Sequence, residues 1–164
     1  MYKIETATKA DIPVIQKIAN ATWWPTYSSI LSAEQLDYML KMIYSEEALK
    51  QVMDSGNQEF ILLTEKNDPE AFASFGVKLQ EPSIYKLHKL YILPNNQGKG
   101  FGRALIEEVK TRISKAGVRT LDLNVNRYNP ARNFYEHLGF KIIKEEDVPI
   151  GPYWMNDFVM RLEF

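Results

Sequence analysis

The run Gln97-Gly98-Lys99-Gly100-Phe101-Gly102-Arg103 restricts the fold of this chain more than any other segment. It places a glycine at every second position, after the apolar stretch 84–93 and before Leu105, Ile106, Val109 and Ile113. The stretch before it reads as a strand, and the spacing of three and four after it reads as one face of a helix. A chain passing from strand to helix through a turn poor in side chains brings unpaired N–H groups and the positive end of a helix dipole to one point. That arrangement binds phosphate. Glycine suits it because a Cβ would obstruct both the turn and the approach of a ligand. The chain is therefore expected to hold a phosphorylated ligand.

Two nucleotide-binding patterns fail on spacing. A P-loop needs G-x-x-x-x-G-K-[ST], whereas Lys99 lies between two glycines; a dinucleotide fingerprint needs G-x-G-x-x-G, whereas the glycines here are 98, 100 and 102. The segment does fit Q-x-x-G-x-G. Downstream, the alternating run 121–125 leads into Asn126, Asn129, Ala131-Arg132-Asn133-Phe134-Tyr135 and Gly139-Phe140. Together, Q-x-x-G-x-G followed by an Asn, A-x-x-F-Y and G-F resemble the two hallmarks of the GCN5-related N-acetyltransferase superfamily, in its order. The family often sets its Asn three residues before the Ala, a place held here by Tyr128. Asn126 and Asn129 share the candidacy for a cofactor-contacting amide. Asn129 is favoured, and an Asn ahead of Pro130 is also a natural helix N-cap.

The resemblance implies a domain over residues 1–164 that uses acetyl-CoA as acyl donor and needs no metal. Gln97, Gly98, Lys99, Gly100, Phe101, Gly102 and Arg103 would cradle the pyrophosphate, largely through backbone amides, with Lys99 and Arg103 adding charge or standing as surface cations. Leu90, Tyr91 and Ile92 would pair with pantetheine where stretches 84–93 and 120–125 splay apart, and one amide near Leu90 or Ile92 would stabilise an oxyanion. Tyr135 would donate to the departing thiolate, or simply fill a core helix face. Many relatives carry a Glu on the strand before the glycine loop, but this chain reads Lys86-Leu87-His88-Lys89. By alternation His88 shares a face with Leu90 and Ile92, and it titrates near neutrality. It is the candidate base, beside a water chain; His137 is expected on the outer face of its helix.

The acceptor side is assigned to aromatics early and late in the chain: Trp24 and Tyr27, Tyr153 and Trp154, beside Trp23. Such walls attract a cationic amine, with Asp157 or Asp37 as counter-charge. Core or loop packing is the alternative for each. The layout around Thr26-Tyr27 and residues 155–160 resembles the bacterial spermidine/spermine acetyltransferases. The expected activity is transfer of an acetyl group to a primary amine of a small molecule such as a polyamine. A protein N-terminus or lysine as acceptor, or a non-catalytic acyl-CoA sensor, are the alternatives.

Composition narrows the classes further. The 20 basic and 21 acidic residues balance to a formal charge of −1 without a block of one sign, which disfavours nucleic acid as partner. No apolar run approaches the roughly 20 residues of a membrane span, and the first residues lack a signal-like core. With no cysteine and only two histidines, thiolate chemistry and a metal cluster have no candidates. These features fit a cytoplasmic enzyme, as monomer or homodimer.

The order of elements gives the fold class. A strand 2–7 precedes a helix led by a capping box at Thr8 and Asp11 and carrying Ile12, Ile15, Ile18 and Ala19. Residues 23–27 read as an aromatic loop. Two helices follow, one capped by Ser32, the other starting at Ser45 and stopped near Gly56. Strands are expected over 59–65, 71–79 and 84–93, with turns at 67–69 and 81–83, and then over 120–125, 141–146 and 154–164. The helix after the glycine loop ends near Gly117, and a short one spans 130–138. This is an α/β arrangement: a mixed, mostly antiparallel sheet of six to seven strands with helices on both faces.

Overall fold

The central strands are apolar on both faces, so the sheet has to be covered twice. In the strand Glu59–Glu65, Phe60 and Leu62 point one way, Ile61 and Leu63 point the other, and all four are buried. The computed structural model describes residues 1–164, in the order β1 (Tyr2–Thr6), α1 (Ile12–Tyr27), α2 (Ala33–Tyr44), α3 (Glu46–Ser55), β2 (Glu59–Glu65), β3 (Asp68–Lys78), β4 (Glu81–Ile92), α4 (Phe101–Lys115), β5 (Thr120–Asn126), α5 (Ala131–His137), β6 (Lys141–Ile150) and β7 (Tyr153–Glu163). The seven strands form one sheet in the order β1-β2-β3-β4-β5-β7-β6. Only β4 and β5 run parallel. Helices α1 to α3 cover one face around Ile15, Leu36 and Phe72, and α4 and α5 cover the other around Leu105, Val109 and Phe75. The expected fold class is the observed one.

Local chemistry sets most helix ends. Ser32 and Ser45 each accept a hydrogen bond from the backbone N–H three residues on, at Gln35 and Ala48, which satisfies a donor the helix leaves free. Asp11 accepts from the Thr8 N–H at 2.8 Å and closes the 3-10 turn that leads into α1. Gly117, at φ +80°, ends α4 while Val118 N–H returns to the Ile113 carbonyl.

The expected aromatic loop at 23–27 is instead the last turn of α1. Pro25 removes an intrahelical donor there, a defect that usually ends a helix. Burial overrides it: Trp23 and Tyr27, four residues apart, are 3% and 6% exposed and lie on the core face continued from Ile15, Ile18 and Ala19. The hairpin turns are also tighter than expected. Lys66 and Asn67, both at positive φ, make a two-residue turn, so Asp68 and Pro69 already belong to β3; likewise Leu79 and Gln80 turn and residues 81–83 begin β4. At Lys66-Asn67 the two positive-φ residues match the right-handed twist of paired strands, which favours that short connection. Strand β6 runs on to Ile150, because its pairing with β7 continues to Ile150↔Tyr153.

Beyond the region covered by α1, the sheet carries a buried charge cluster. Asp122, 1% exposed, accepts from Arg161 at 2.7 and 3.0 Å and from Lys78 at 2.9 Å. Burial pushes its carboxyl pKa up, but the Arg161 and Lys78 hydrogen bonds and charges outweigh this and hold it below the ordinary 3.8. A depressed carboxylate contributes stability that is complete above its unfolded-state pKa and drains away as pH falls through the folded-state value. Asp122→Ala should therefore cost about 3 kcal/mol in urea unfolding at pH 7, by stranding Arg161 and leaving Lys78 only Glu81 at 3.5 Å. The gap to wild type should close as the titration is repeated at acid pH below 4.

Candidate active site

The site exists because two neighbouring strands stop bonding. Strands β4 and β5 pair only at Tyr85↔Leu121, Lys86↔Asp122 and Leu87↔Leu123. Beyond that, β4 stays with β3 through Lys89–Ile92 while β5 stays with β7. A bulge accompanies the parting: Leu87 faces Phe75 and Lys89 faces Ser74, which leaves His88 as an extra residue. The result is a cleft of about 670 Å³ whose floor is the separated edges of β4 and β5. The α1 end, the glycine loop and the start of α5 supply its walls.

The three glycines have different reasons to be glycine. Gly98 and Gly100 sit at φ +85° and +83° with open space where a Cβ would be. They are conformational, and they leave room for a ligand. Gly102 lies in the first turn of α4, and a Cβ there would meet Phe134 at 2.8 Å and Ile92 at 3.1 Å. It lets α4 pack against α5 and β4. The N–H groups of Gly98, Lys99, Gly100, Phe101, Gly102 and Arg103 find no acceptor in the protein, so a row of donors is presented at the positive end of α4. Gln97, Phe101 and the three glycines line the cleft. Lys99 and Arg103 do not: Lys99 bonds Asn96 at 2.7 Å, and Arg103 borders a shallow groove beside Tyr2 and Glu107. The glycines and Phe101 of this row, rather than either cation, line the cleft.

On the opposite wall, Asn129 accepts from the Ala131 N–H at 2.9 Å and so opens α5. It also lines the cleft, whereas Asn126 is buried and turned onto the Tyr128 N–H at 2.9 Å. Tyr135 lines the cleft with its ring against Phe134 and Phe140, at centroid distances of 5.3 and 5.7 Å. Burial, and then the neighbouring Tyr27, raise its pKa, so the phenol stays protonated. Tyr27 is buried between Tyr91 and Asn129, and its pKa too is raised, chiefly by burial.

Leu90, Tyr91 and Ile92 line the cleft along the free edge of β4. Tyr91 turns its ring to the α1 side, 5.9 Å from Trp23. His88 also lines the cleft, and the bulge breaks the alternation that would have grouped it with Leu90 and Ile92. Its ring still reaches solvent, while partial desolvation, followed by the charges of Lys86 and Lys89, pushes its pKa below the ordinary 6.5. It is therefore neutral at physiological pH and a weak proton acceptor. The adjacent Lys89 is buried without a carboxylate, with Nζ 2.8 Å from Gln58 Oε1, and burial lowers its pKa to about 8. His137 lies on the exposed side of α5 and bonds the Asn133 carbonyl.

Of the four aromatics expected on the acceptor side, Tyr27 reaches the cleft and the other three stand outside it. Trp24 is on the outer side of α1, Tyr153 packs on Tyr38 at 5.4 Å, and Trp154 is 57% exposed with its carbonyl accepting from Gln35 at 2.8 Å. Asp37 is exposed and spends its charge on Lys41 at 2.8 Å. Thr22, Ser29, Ile30 and Asn124 join the lining without any sequence signal. They enter through the α1 end and the β5 edge, so only the packing of those elements reveals them.

Comparison with known proteins fits this geometry. The family described as Acetyltransferase (GNAT) domain matches residues 28–156. An uncharacterized N-acetyltransferase of Bacillus subtilis, YuaI, is 28% identical over 153 residues, 92% of this chain and 87% of its own length. A spermidine N(1)-acetyltransferase of Thermoplasma acidophilum is 27% identical over 157 residues, 94% of this chain and 92% of its own. The crystal structure of the PaiA N-acetyltransferase from Thermoplasma acidophilum in complex with coenzyme A superimposes with a TM-score of 0.84, covering 100% of this chain and 99% of that one at 24% identity.

The differing glycine roles are separable by mutation. Gly102→Val should cost about 1–3 kcal/mol in urea unfolding by overpacking against Phe134 and Ile92. Gly98→Ala meets open space and should cost only about 1 kcal/mol of backbone strain. Equal losses would contradict the packing role assigned to Gly102.

Proposed function

The chain belongs to the Acetyltransferase (GNAT) domain family, and on that footing we propose that it transfers the acetyl group of acetyl-CoA to the primary amine of a small cationic acceptor by direct attack. The observation that carries this reading is the parting of β4 from β5 after Leu87 and Leu123, which leaves a free strand edge beside a row of unpaired N–H donors. A pantetheine arm is an amide chain of strand-like dimensions and suits such an edge; a pyrophosphate suits the donors at Gly98–Arg103. The match of the spermidine acetyltransferase along nearly the whole chain supports a polyamine or diamine as acceptor.

The residues divide the work as follows. The donors at Gly98–Arg103 hold the anionic end of acetyl-CoA, and the edge Lys89–Ile92 aligns its arm. A backbone N–H of that edge faces the thioester carbonyl and stabilises the oxygen as negative charge develops on it. The amine nitrogen forms the new bond to the carbonyl carbon, and the bond from carbon to sulfur breaks. Tyr135, kept protonated by burial, donates to the departing sulfur and regains a proton from solvent through the cleft as the thiol leaves. Asn129 orders the start of α5 and so the position of Tyr135. His88, neutral and solvent-linked, passes the amine proton outward through water rather than retaining it.

Thiol release from acetyl-CoA should become amine-dependent in a panel of polyamines, amino acids, aminoglycosides and short peptides, with the polyamines giving the highest kcat/KM. Preference for peptides would replace the small-amine acceptor, and silence across the panel would remove the proposed transfer. Gly100→Trp should fill the open space above the loop and abolish coenzyme A binding while retaining a cooperative melt. Tyr135→Phe should lower kcat by about 100-fold with little change in acetyl-CoA affinity, read under single-turnover conditions.

A further inference from the structure

Asp157 is a buried carboxylate with no counter-ion. It is 7% exposed, and no lysine or arginine nitrogen lies within 4 Å of its side chain. Oδ2 accepts from Asn124 Nδ2 at 3.2 Å, and Oδ1 has no hydrogen-bond partner. The contrast with Asp122, held by both Arg161 and Lys78, is direct. Burying a carboxylate unpaired is costly, and the usual remedy is a cation in contact. The surroundings withhold one. Arg127 gives its guanidinium to the Asp157 carbonyl at 3.2 Å and to Asp147 at 2.9 Å. Lys86 of β4 and Glu146 of β6 act on Asp157 only through space, and Tyr27 of α1 is neutral beside it.

Asp157 pairs with Asn126 at the end of β5, on the sheet face that carries Met155 and receives α1. Asn124, which it holds, lines the cleft, as does Tyr27, which feels its charge. The carboxylate therefore stands just behind the cleft wall, on the face of the sheet away from α4.

We infer that Asp157 is the counter-ion for the acceptor: from behind the cleft wall its unpaired carboxylate attracts the ammonium group of a small amine through space, while its Oδ2 fixes the Asn124 amide that lines the cleft. This rests on the acetyltransferase reading proposed above and adds to it the residue that selects a cationic acceptor. The positive charge of the ammonium offsets the desolvation that raises the Asp157 pKa. Asp37 and Glu146, the other acids near this side, already face Lys41 and Lys144 at 2.8 and 3.6 Å.

The test uses the full chain and two variants. Asp157→Asn keeps the shape and can still accept from Asn124; Asp157→Glu keeps the charge. Acetyl-CoA and, separately, spermidine are titrated by calorimetry into each protein, and the ligand-free melting temperature is recorded. In Asp157→Asn, spermidine affinity should fall about 30-fold while acetyl-CoA affinity stays within about twofold. The ligand-free melt should hold or rise, because an unpaired buried charge has been removed. Asp157→Glu should recover part of the spermidine affinity. Unchanged spermidine binding in folded Asp157→Asn, or a wild type that takes acetyl-CoA but not spermidine, would overturn the assignment and leave the transferase reading standing. A lowered melt with acetyl-CoA affinity lost as well would make Asp157 structural and also overturn it. A wild type that binds spermidine but not acetyl-CoA would instead break the transferase reading, with the variants still judging Asp157.

Discussion

The hydrogen-bonding break between β4 and β5 is the constraint from which the rest of the site follows. Three pairs join these strands, and each then keeps its outer neighbour, β3 or β7. Backbone groups left unpaired inside a protein carry a free-energy penalty unless something else satisfies them. Here the penalty is concentrated at a cleft open to ligand, beside the donors of the glycine loop. The bulge at His88 aids the parting by bending β4 where its parallel pairing ends. The two apolar layers on either face hold the diverging strands in place, so the opening does not close by collapse.

Electrostatic work in the site is distributed in an economical way. Unbonded backbone amides of the glycine loop border the cleft while the Lys99 and Arg103 side chains lie elsewhere. Buried tyrosines supply neutral donors: burial raises the pKa of Tyr27, Tyr91 and Tyr135, so none of them ionises near neutrality. Asp157, by contrast, is a buried carboxylate with one oxygen left unbonded. Where the fold needs charge for stability, at Asp122, two cations meet it. The two buried aspartates of the same sheet face thus mark the difference between a completed ion cluster and an incomplete one.

Much of the fold was legible because it is written in local patterns. Ser32 and Ser45 mark helix starts, Gly56 and Gly117 mark ends, and residues 59–65 read as a strand with the observed limits. Local pattern and structure part where a distant contact outweighs a local rule. Pro25 says stop, yet the core contacts of Trp23 and Tyr27 carry α1 through it. Alternation puts His88 with Leu90, yet a bulge answering to β3 removes it from the count. Aromatic composition suggested Trp24, Tyr153 and Trp154 for the cleft, but residue type does not state which side of a helix or hairpin faces inward.

The sequence by itself determined the elements, the sheet class and the glycine loop, because caps, turns and periodicities act over a few residues and require no partner. It also named Tyr135 and Asn129 as candidates, through motif order. Tertiary structure alone decided that β4 and β5 separate after three pairs, that Tyr27 enters the cleft while Trp24 does not, and that Asp157 is buried without a cation. Each of these is a relation between segments far apart in the chain. Pairing register, side-chain facing and the absence of a counter-ion are set by what packs against a residue, and no local pattern encodes that.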